Sequence, residues 1–317
     1  MALYFNNVLH LLHARLSGVS FGSTITISRL NLFLEPREIA ALTRALAGTV
    51  AAPGIPVLQR TRFGDYADDF LRAALGCDRL ESMDFSDYEG ASVLHDLNQP
   101  IPAAMQNQWD AVIDAGTFEH IFHVGTAVSN TLRLVRTGGT WFAFPPANGM
   151  CGHGFYQFSP DFFFRALDDA NGFRVDELFL VEAEGMDIHG LKNRRRMYRV
   201  TDPAESKIHP LWLPRGAACL LVRATRLRQS EPWQTPVQQS MYLGAWEDAV
   251  AAASGKTQPL TPPSASARLK SRLRKLWHRM PQPCRLAWSR FQFRRHSSLR
   301  NRRAFVPIRP LDLLKKG

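Results

Sequence analysis

The amino-acid sequence predicts a doubly wound α/β fold, in which a mostly parallel seven-stranded sheet carries helices on both faces, followed by a basic helical C-terminal extension. Apolar, β-branched runs alternate with segments of helical period along residues 20–225. The last two runs lack a clear helix between them, which favours a terminal antiparallel hairpin. Charge is divided unevenly, because residues 261–317 hold 16 of the 39 basic residues and one of the 28 acidic residues.

The predicted strands are short runs rich in apolar and β-branched residues that stop at turn-forming residues. Ser23–Leu30 alternates as STITISRL, and Trp109–Ala115 is apolar on both faces as WDAVIDA, which is typical of a buried parallel strand. The other five predicted strands are Arg79–Phe85, Ser92–Leu97, Thr140–Phe144, Phe173–Val181 and Ala217–Thr225.

The predicted helices lie between these strands and carry residues typical of helix ends. Pro36 stands at the start of the first helix, Gly48 follows its end, and Ser159 is a natural N-cap for the last one. The four predicted helices cover residues 36–47, 66–75, 126–135 and 160–169. The long charged segment Glu184–Pro214 predicts irregular structure.

The chain is divided by composition into four parts: an N-terminal segment 1–19, an α/β domain 20–253, a linker 254–266 and the basic extension 267–317. No apolar run approaches the roughly 20 residues of a membrane-spanning helix, and the N-terminus lacks the pattern of a secretory signal. The four cysteines show no CxxC spacing, which favours buried or incidental thiols in a reducing compartment. We therefore expect a cytoplasmic protein.

Three acidic residues stand at or near the ends of successive strands. These residues are Asp84, Asp96 and Asp114. Because parallel strands end along one rim of a sheet, their carboxylates could accept hydrogen bonds from ribose hydroxyls or an adenine amino group. The alternative is that each aspartate caps the turn after its strand.

Three longer runs carry a resemblance to a known family. They are DFSDYEGASVLHDLNQPIP, WDAVIDAGTFEHIF and GGTWFAFPPANGMCGHGFYQFSPDFFF. Together they resemble a bacterial family of class I, Rossmann-like S-adenosylmethionine-dependent methyltransferases, often associated with polysaccharide or glycan biosynthesis. The similarity covers about residues 20–225, and GHGFYQFSP at Gly152–Pro160 is its most specific part. It implies S-adenosyl-L-methionine as cofactor and a sugar, glycolipid or other small molecule as acceptor.

The resemblance also implies a cofactor site along the sheet rim. Asp84 matches the ribose-binding acid, Asp96 and Leu97 the adenine-binding motif, and Asp114 to Gly116 the methionine end. The implied cofactor-binding residues are Ser28, Asp84, Asp96, Leu97, Asp114, Ala115 and Gly116. One stretch departs from the family pattern, since Ile27–Leu30 has no glycine where a Gly-rich loop is expected. A non-catalytic binding module that has lost the cofactor site is therefore the alternative.

Catalytic candidates follow the fourth strand and lie in the Gly-rich loop. His153 or His120 could remove the acceptor proton, because histidine titrates near neutral pH, with Glu119 as an orienting acid. Tyr156 and Gln157 are expected to contact the acceptor. The alternative is that His153 and Tyr156 only hold the loop by hydrogen bonds.

A metal centre is not expected from the sequence. Glu119, His120 and His123 are close along the chain, and the two histidines could share a helical face. A zinc site needs three or four ligands, and no cysteine or HExxH pattern supplies the others.

The basic extension predicts an amphipathic helix over residues 264–280. Its apolar stripe consists of Leu269, Leu273, Leu276, Trp277 and Met280. Such a helix could lie on an anionic membrane, bind another polyanion by charge, or pack on the domain itself. No nucleic-acid module is recognisable, so nucleic acid is not an expected partner, and no feature indicates an oligomeric state. The Arg194–Arg196 cluster is either a solvated charge run or a site for an acidic group.

Overall fold

The computed structural model describes residues 1–182, 196–206, 208, 216–234, 236–242, 280–296 and 298–315. The chain divides into two units. The first is drawn from Met1–Val200, Pro214–Val237 and Val306–Gly317, and the second from Thr201–Leu213 and Gln238–Phe305. The first unit contains the sheet and the candidate site.

The described residues form twelve strands and eight α-helices. The strands are β1 Ala2–Tyr4, β2 Ser23–Ile27, β3 Asn31–Phe33, β4 Arg79–Asp84, β5 Val93–Leu94, β6 Trp109–Asp114, β7 Val135–Ala143, β8 Pro146–Asn148, β9 Phe173–Glu182, β10 Arg196–Val200, β11 Ala218–Arg226 and β12 Phe305–Ile308. The helices are α1 Phe5–Leu16, α2 Pro36–Leu46, α3 Ile55–Arg60, α4 Asp68–Phe70, α5 Val124–Leu134, α6 Pro160–Ala166, α7 Pro203–Ser206 and α8 Gln282–His296.

The α/β class is confirmed, and each predicted strand overlaps a strand of the sheet. The strand order is β12-β10-β9-β11-β7-β6-β2-β4-β5, with β8 paired to β11. Strands β5, β4, β2, β6 and β7 are parallel. Strand β11 lies antiparallel between β7 and β9, so the last two predicted strands pair antiparallel as expected, but they form no simple hairpin, because β10 lies between them along the chain.

The prediction of a seven-stranded, mostly parallel sheet is wrong in the number of strands and in their relative directions. Among the described residues the sheet has ten strands, because β8, β10 and β12 add to the seven predicted ones. It is mixed, because β11 is antiparallel to β7, β8 and β9, and β10 is antiparallel to β9. The three added runs of three to five residues are too short to stand out from loops by residue pattern.

Helices cover both faces of the sheet, as predicted. On one face, Ile113 and Phe142 join a core cluster that contains the apolar side chains of α1. On the other face, the indole of Trp141 stacks on Phe118 and donates to Thr131 Oγ1 on α5. Alternate residues of each strand point to opposite faces of the sheet. Because helices pack on both faces, both sets of side chains of the central strands are buried.

Helix α1 forms much of the first core, although the sequence shows no clear stripe there. Its residues Phe5 to Ala14 are all buried, including the polar Asn6 and His10. Before it, β1 pairs in parallel with β3. The C-terminal end returns to the same core, because Leu313 is buried and its carbonyl lies 2.9 Å from His13 Nδ1.

Three of the four predicted helices form as α2, α5 and α6. Ser159 caps α6, since its hydroxyl accepts a hydrogen bond from the backbone N–H of Phe162 at 3.4 Å. The helix predicted over 66–75 is shorter: α4 continues as a π-helical turn, Leu71–Leu75, which ends at Gly76 in a left-handed conformation.

In the second unit the described elements are α7 and α8. Along α8, Leu286 and Phe293 lie on one side, whereas Trp288 and Phe291 lie on another, so its apolar residues form no single stripe. The stripe predicted over 264–280, apart from Met280, lies outside the described residues, as do Arg194, Arg195 and the linker 254–266. None of the helices in the described part of the chain is long and apolar enough to span a bilayer.

Candidate active site

The candidate site lies where the strand order reverses. From β2 the chain proceeds to β4 and β5 on one side, and then to β6 and β7 on the other. Ile27 at the end of β2 is paired with Met83 on β4 and with Asp114 on β6. In open α/β sheets, ligands bind in the crevice outside the carboxyl ends of the strands at such a point.

A cavity of about 320 Å³ opens at this point. Ala115 and Gly116 line it from the loop after β6, and Phe144 from the end of β7. Segments that no sequence pattern linked to the site also line the cavity. Their lining residues are Met1, Ala2, Tyr4, Asn7, Asn31, Phe33 and Cys219. The N-terminus and β3 therefore complete one side of the cavity.

Asp114 organises the loop beneath this cavity. Its carboxylate accepts hydrogen bonds from the backbone N–H groups of Thr117 at 3.0 Å and Gly116 at 3.3 Å. It is fully buried, and burial raises the pKa of Asp114 to about 7 against the effect of those hydrogen bonds. Gly116 has a φ of +94°, and a Cβ there would lie 2.9 Å from Glu119 Oε1, so glycine leaves room for the Glu119 side chain.

Glu119 lies on the 3₁₀ turn Phe118–His120 and is 2% exposed. Its Oε2 atom accepts no hydrogen bond from the part of the chain that the structure describes. Burial, and secondarily the nearby charge of Asp114, raises the pKa of Glu119 to about 8. A buried carboxylate in this position lacks the compensation that such groups usually have.

His120 and His153 lie beside this carboxylate. His153 Nε2 is 3.8 Å from Glu119 Oε1, and the rings of the two histidines are 4.8 Å apart at an interplanar angle of 80°. Burial, and secondarily His153, lowers the pKa of His120. All three side chains line the cavity. Each imidazole can donate or accept a hydrogen bond with a molecule bound in the cavity.

The Gly-rich loop is fixed by its backbone. Phe155 donates its N–H to the Glu119 carbonyl at 2.6 Å, and Gly154, with a φ of +74°, passes so close that a Cβ would lie 2.6 Å from that oxygen. Gln157 Oε1 accepts from the backbone N–H of Met150, and the Tyr156 hydroxyl donates to the Phe122 carbonyl. Tyr156 and Gln157 thus hold the loop that presents His153.

The rim residues assigned to the adenosine part lie away from this cavity. Asp84 Oδ1 accepts from the backbone N–H of Phe85, and Asp96 Oδ1 accepts from the backbone and side chain of Asn98. Those hydrogen bonds lower the pKa of Asp96. Leu97 is buried, and its carbonyl accepts from Asn130 Nδ2. None of the three lines the 320 Å³ cavity formed by the described residues.

The loop after β2 has the conformation expected of glycine but not its sequence. Ser28 has a φ of 61° and donates its N–H to the Met83 carbonyl. Arg29 points away from the cavity, because its Nε lies 3.1 Å from Asp68 Oδ2 and its Nη1 donates to the Glu89 carbonyl. Its guanidinium also stacks 3.8 Å above the Tyr66 ring.

The structure thus brings together Glu119, His120 and His153, with Ala115 and Gly116 in the same cavity wall. Ser28, Asp84, Asp96, Leu97, Tyr156 and Gln157 do not line the cavity that these described residues form. His123, although close in sequence, is not part of the cluster, whose third member comes from the Gly-rich loop.

No protein-family profile matches the chain, and no curated protein matches its sequence. Among solved structures, similar chains include one from the complex containing the Trm112 methyltransferase activator of Haloferax volcanii, with 15% identity, a TM-score of 0.39, and coverage of 71% of this chain and 90% of that one. An S-adenosylmethionine-dependent methyltransferase of Thermotoga maritima has 12% identity and a TM-score of 0.36, covering 69% and 88%. The N-methyltransferase NodS of Bradyrhizobium japonicum has 14% and 0.35, covering 70% and 94%.

Proposed function

We propose that the chain transfers a methyl group from S-adenosyl-L-methionine to a sugar, glycolipid or other small acceptor. The observation that carries this proposal is the cavity at the reversal of strand order, with a buried carboxylate and two imidazoles in its wall. The resemblance of the segments around the rim to a methyltransferase family supports the choice of cofactor.

The cofactor would lie along the rim, with Asp84 toward the ribose, Asp96 and Leu97 toward the adenine, and Ala115 and Gly116 toward the methionine end. Gly116 fits this role, because it lines the cavity in a positive-φ conformation that favours glycine. When bound, S-adenosyl-L-methionine supplies an electrophilic methyl group on its sulfonium sulfur.

The chain's own contribution is to position the acceptor and remove its proton. His153 is half-buried in the cavity wall, so its imidazole can take a proton from an acceptor hydroxyl or amine. Glu119, 3.8 Å away, would then stabilise the imidazolium and fix the ring. Positioning of the acceptor in a cavity closed by the N-terminus supplies the remaining gain in rate.

Cofactor binding is tested with S-adenosylhomocysteine. The expected result is a rise in melting temperature, since ligand at 100 times its Kd stabilises a fold by about 2.7 kcal/mol. Asp84→Ala should abolish the rise, and Asp87→Ala, which removes an exposed carboxylate from the same loop, should leave it unchanged. No shift and no heat of binding at millimolar ligand would overturn the proposal.

One observation favours the alternative of a binding module without the cofactor. Arg29, where a Gly-rich loop is expected, is anchored to Asp68, Glu89 and Tyr66. Arg29→Gly separates the two functions. If this variant binds S-adenosylhomocysteine and the wild type does not, the result would favour the binding module.

For the basic extension we propose an anionic membrane surface as partner. Helix α8 carries Arg285, Arg290, Arg294 and Arg295 together with exposed Trp288, Phe291 and Phe293. Truncation is a poor test, because Leu313 and Leu314 belong to the core of the first unit. Replacing the four arginines by glutamine should instead reduce binding to phosphatidylserine vesicles at low salt, with phosphatidylcholine vesicles and an oligonucleotide as comparison.

A further inference from the structure

The Glu119, His120 and His153 cluster has the composition of a metal centre. One ligand atom from each side chain can be chosen so that all three lie within 4.8 Å of one another. Two imidazoles and one carboxylate are the protein ligands of many catalytic zinc and non-haem iron sites, in which the other positions stay open. Here they come from two separate segments, the 3₁₀ turn after β6 and the Gly-rich loop.

To hold an ion, ligand atoms that lie within 4.8 Å of one another would have to approach by about 1.4 Å at most. Atoms bound tetrahedrally at about 2.1 Å from one ion lie about 3.4 Å apart. The Glu119 Oε1 to His153 Nε2 distance of 3.8 Å is already close to this value. His153 can move closer, because its side chain is partly exposed.

The charge of the cluster indicates a cation. Glu119 is 2% exposed and lines the cavity, and its Oε2 atom has no hydrogen-bond partner among the described residues. Within the same part of the chain, no lysine or arginine lies within ion-pair distance of this carboxylate. A divalent ion bound beside Glu119 Oε1 would supply the missing positive charge.

We propose that Glu119, His120 and His153 bind a divalent transition-metal ion of the zinc class, with its open coordination positions facing the cavity. The imidazoles argue against magnesium or calcium, which prefer oxygen ligands. If the proposed function also holds, an acceptor hydroxyl or carbonyl oxygen would occupy an open position, and this second step rests on that function. The ion would then lower the pKa of an acceptor hydroxyl, whose proton would pass to solvent, and His153 would be a ligand of the ion and no longer the base.

Metal binding by the full chain can be measured without any activity. Chelator-treated protein is titrated with Co²⁺, followed by visible absorption of the bound ion, and with Zn²⁺, followed by calorimetry. We expect one equivalent to bind, and His153→Ala and Glu119→Gln to weaken Zn²⁺ binding by on the order of 100-fold. His123→Ala removes an exposed neighbouring histidine and should leave binding unchanged.

Two outcomes would overturn the metal site. One is the absence of a Co²⁺ spectrum and Zn²⁺ heat in wild-type protein, and the other is equal binding by wild type and His153→Ala when melting temperatures show both to be folded. S-adenosylhomocysteine binding is measured on the same preparations. Cofactor binding without metal binding refutes only the metal site, and metal binding without cofactor binding refutes only the methyltransferase proposal.

Discussion

Glu119 and Glu177 are both nearly inaccessible to solvent, with 2% and 6% of their surfaces exposed, but their surroundings are opposite. Glu177 lies on β9 beneath α1 and is surrounded by cationic or basic groups. Its contacts are His10 Nε2 at 3.4 Å, His13 Nε2 at 3.2 Å, Arg199 Nη2 at 3.4 Å and Arg223 Nη2 at 3.5 Å. Glu119 has one such contact among the described residues, with His153 at 3.8 Å.

The two carboxyls respond to burial in opposite ways. Burial opposes ionisation of Glu177 most strongly, but the close contact with His10, the hydrogen bond with His13 and the charge of Arg223 hold its pKa well below the usual range. At Glu119 nothing comparable opposes burial, and its pKa rises to about 8. A compensated buried charge holds elements of a fold together, whereas an uncompensated one facing a cavity is a candidate for binding or catalysis.

The largest expected effect is the loss of the Glu177 charge. Glu177→Gln leaves the nearly buried Arg223 without its partner across the β9–β11 pair. Removing one member of a buried ion pair costs about 3–5 kcal/mol, so we expect the free energy of unfolding to fall by that amount. Urea denaturation measures it. Glu231→Gln, at an exposed pair with Arg133, should cost less than about 0.5 kcal/mol, and equal losses would remove the distinction.

The next effect concerns the backbone above Glu119. Gly154→Ala would place a Cβ 2.6 Å from the Glu119 carbonyl oxygen in a left-handed conformation. We expect a loss of about 2 kcal/mol in unfolding free energy, with displacement of His153 and loss of Zn²⁺ binding. Gly152→Ala, two residues earlier with no atom near its Cβ position, is the matched control. If both variants behave alike, the loop is not held on Glu119.

Replacing Glu119 itself should have the opposite sign from replacing Glu177. Glu119→Gln keeps the shape and removes a carboxyl group that must take up a proton to be buried at pH 7, because its pKa in the fold is about 8, so chelator-treated protein at pH 7 should gain roughly 1–2 kcal/mol of stability. With Zn²⁺ present the order should reverse, because the wild type alone would be stabilised by the ion. Thermal unfolding with and without chelator measures both. A loss of stability in chelator would make Glu119 a structural residue like Glu177.

The sequence predicted the parallel part of the fold because each of its strands is a short apolar run bounded by turn residues. It did not predict α1, whose buried Asn6, Asn7 and His10 interrupt any apolar stripe. Those polar residues are buried because of tertiary contacts, such as that between His10 and Glu177, which no local pattern encodes.

The candidate site was predictable only in part for the same reason. The sequence grouped Glu119, His120 and His153 as catalytic candidates by residue type, and His123 was considered only as a metal ligand. The structure places Glu119, His120 and His153 side by side, because a backbone hydrogen bond from Phe155 to Glu119 joins the two segments, and this contact is not encoded in any local pattern. Asp114 follows a buried strand as predicted, but its full burial beneath the loop depends on how that loop packs.

The smallest expected effect is on the pH dependence of stability. Burial lowers the pKa of His10, which lies between the rings of Phe142, Phe144 and Phe179 and faces Glu177. As the pH falls below the ordinary value of 6.5, His10 therefore binds a proton in the unfolded chain but not in the folded chain. The contribution of neutral His10 to stability is fully present above that pH and decreases below it. Between pH 7.5 and 5.5, His10→Phe should lose about 1 kcal/mol less than the wild type, measured by urea denaturation at both values. Equal losses would mean that the His10 site accepts the proton, with Glu177 compensating its charge in the fold.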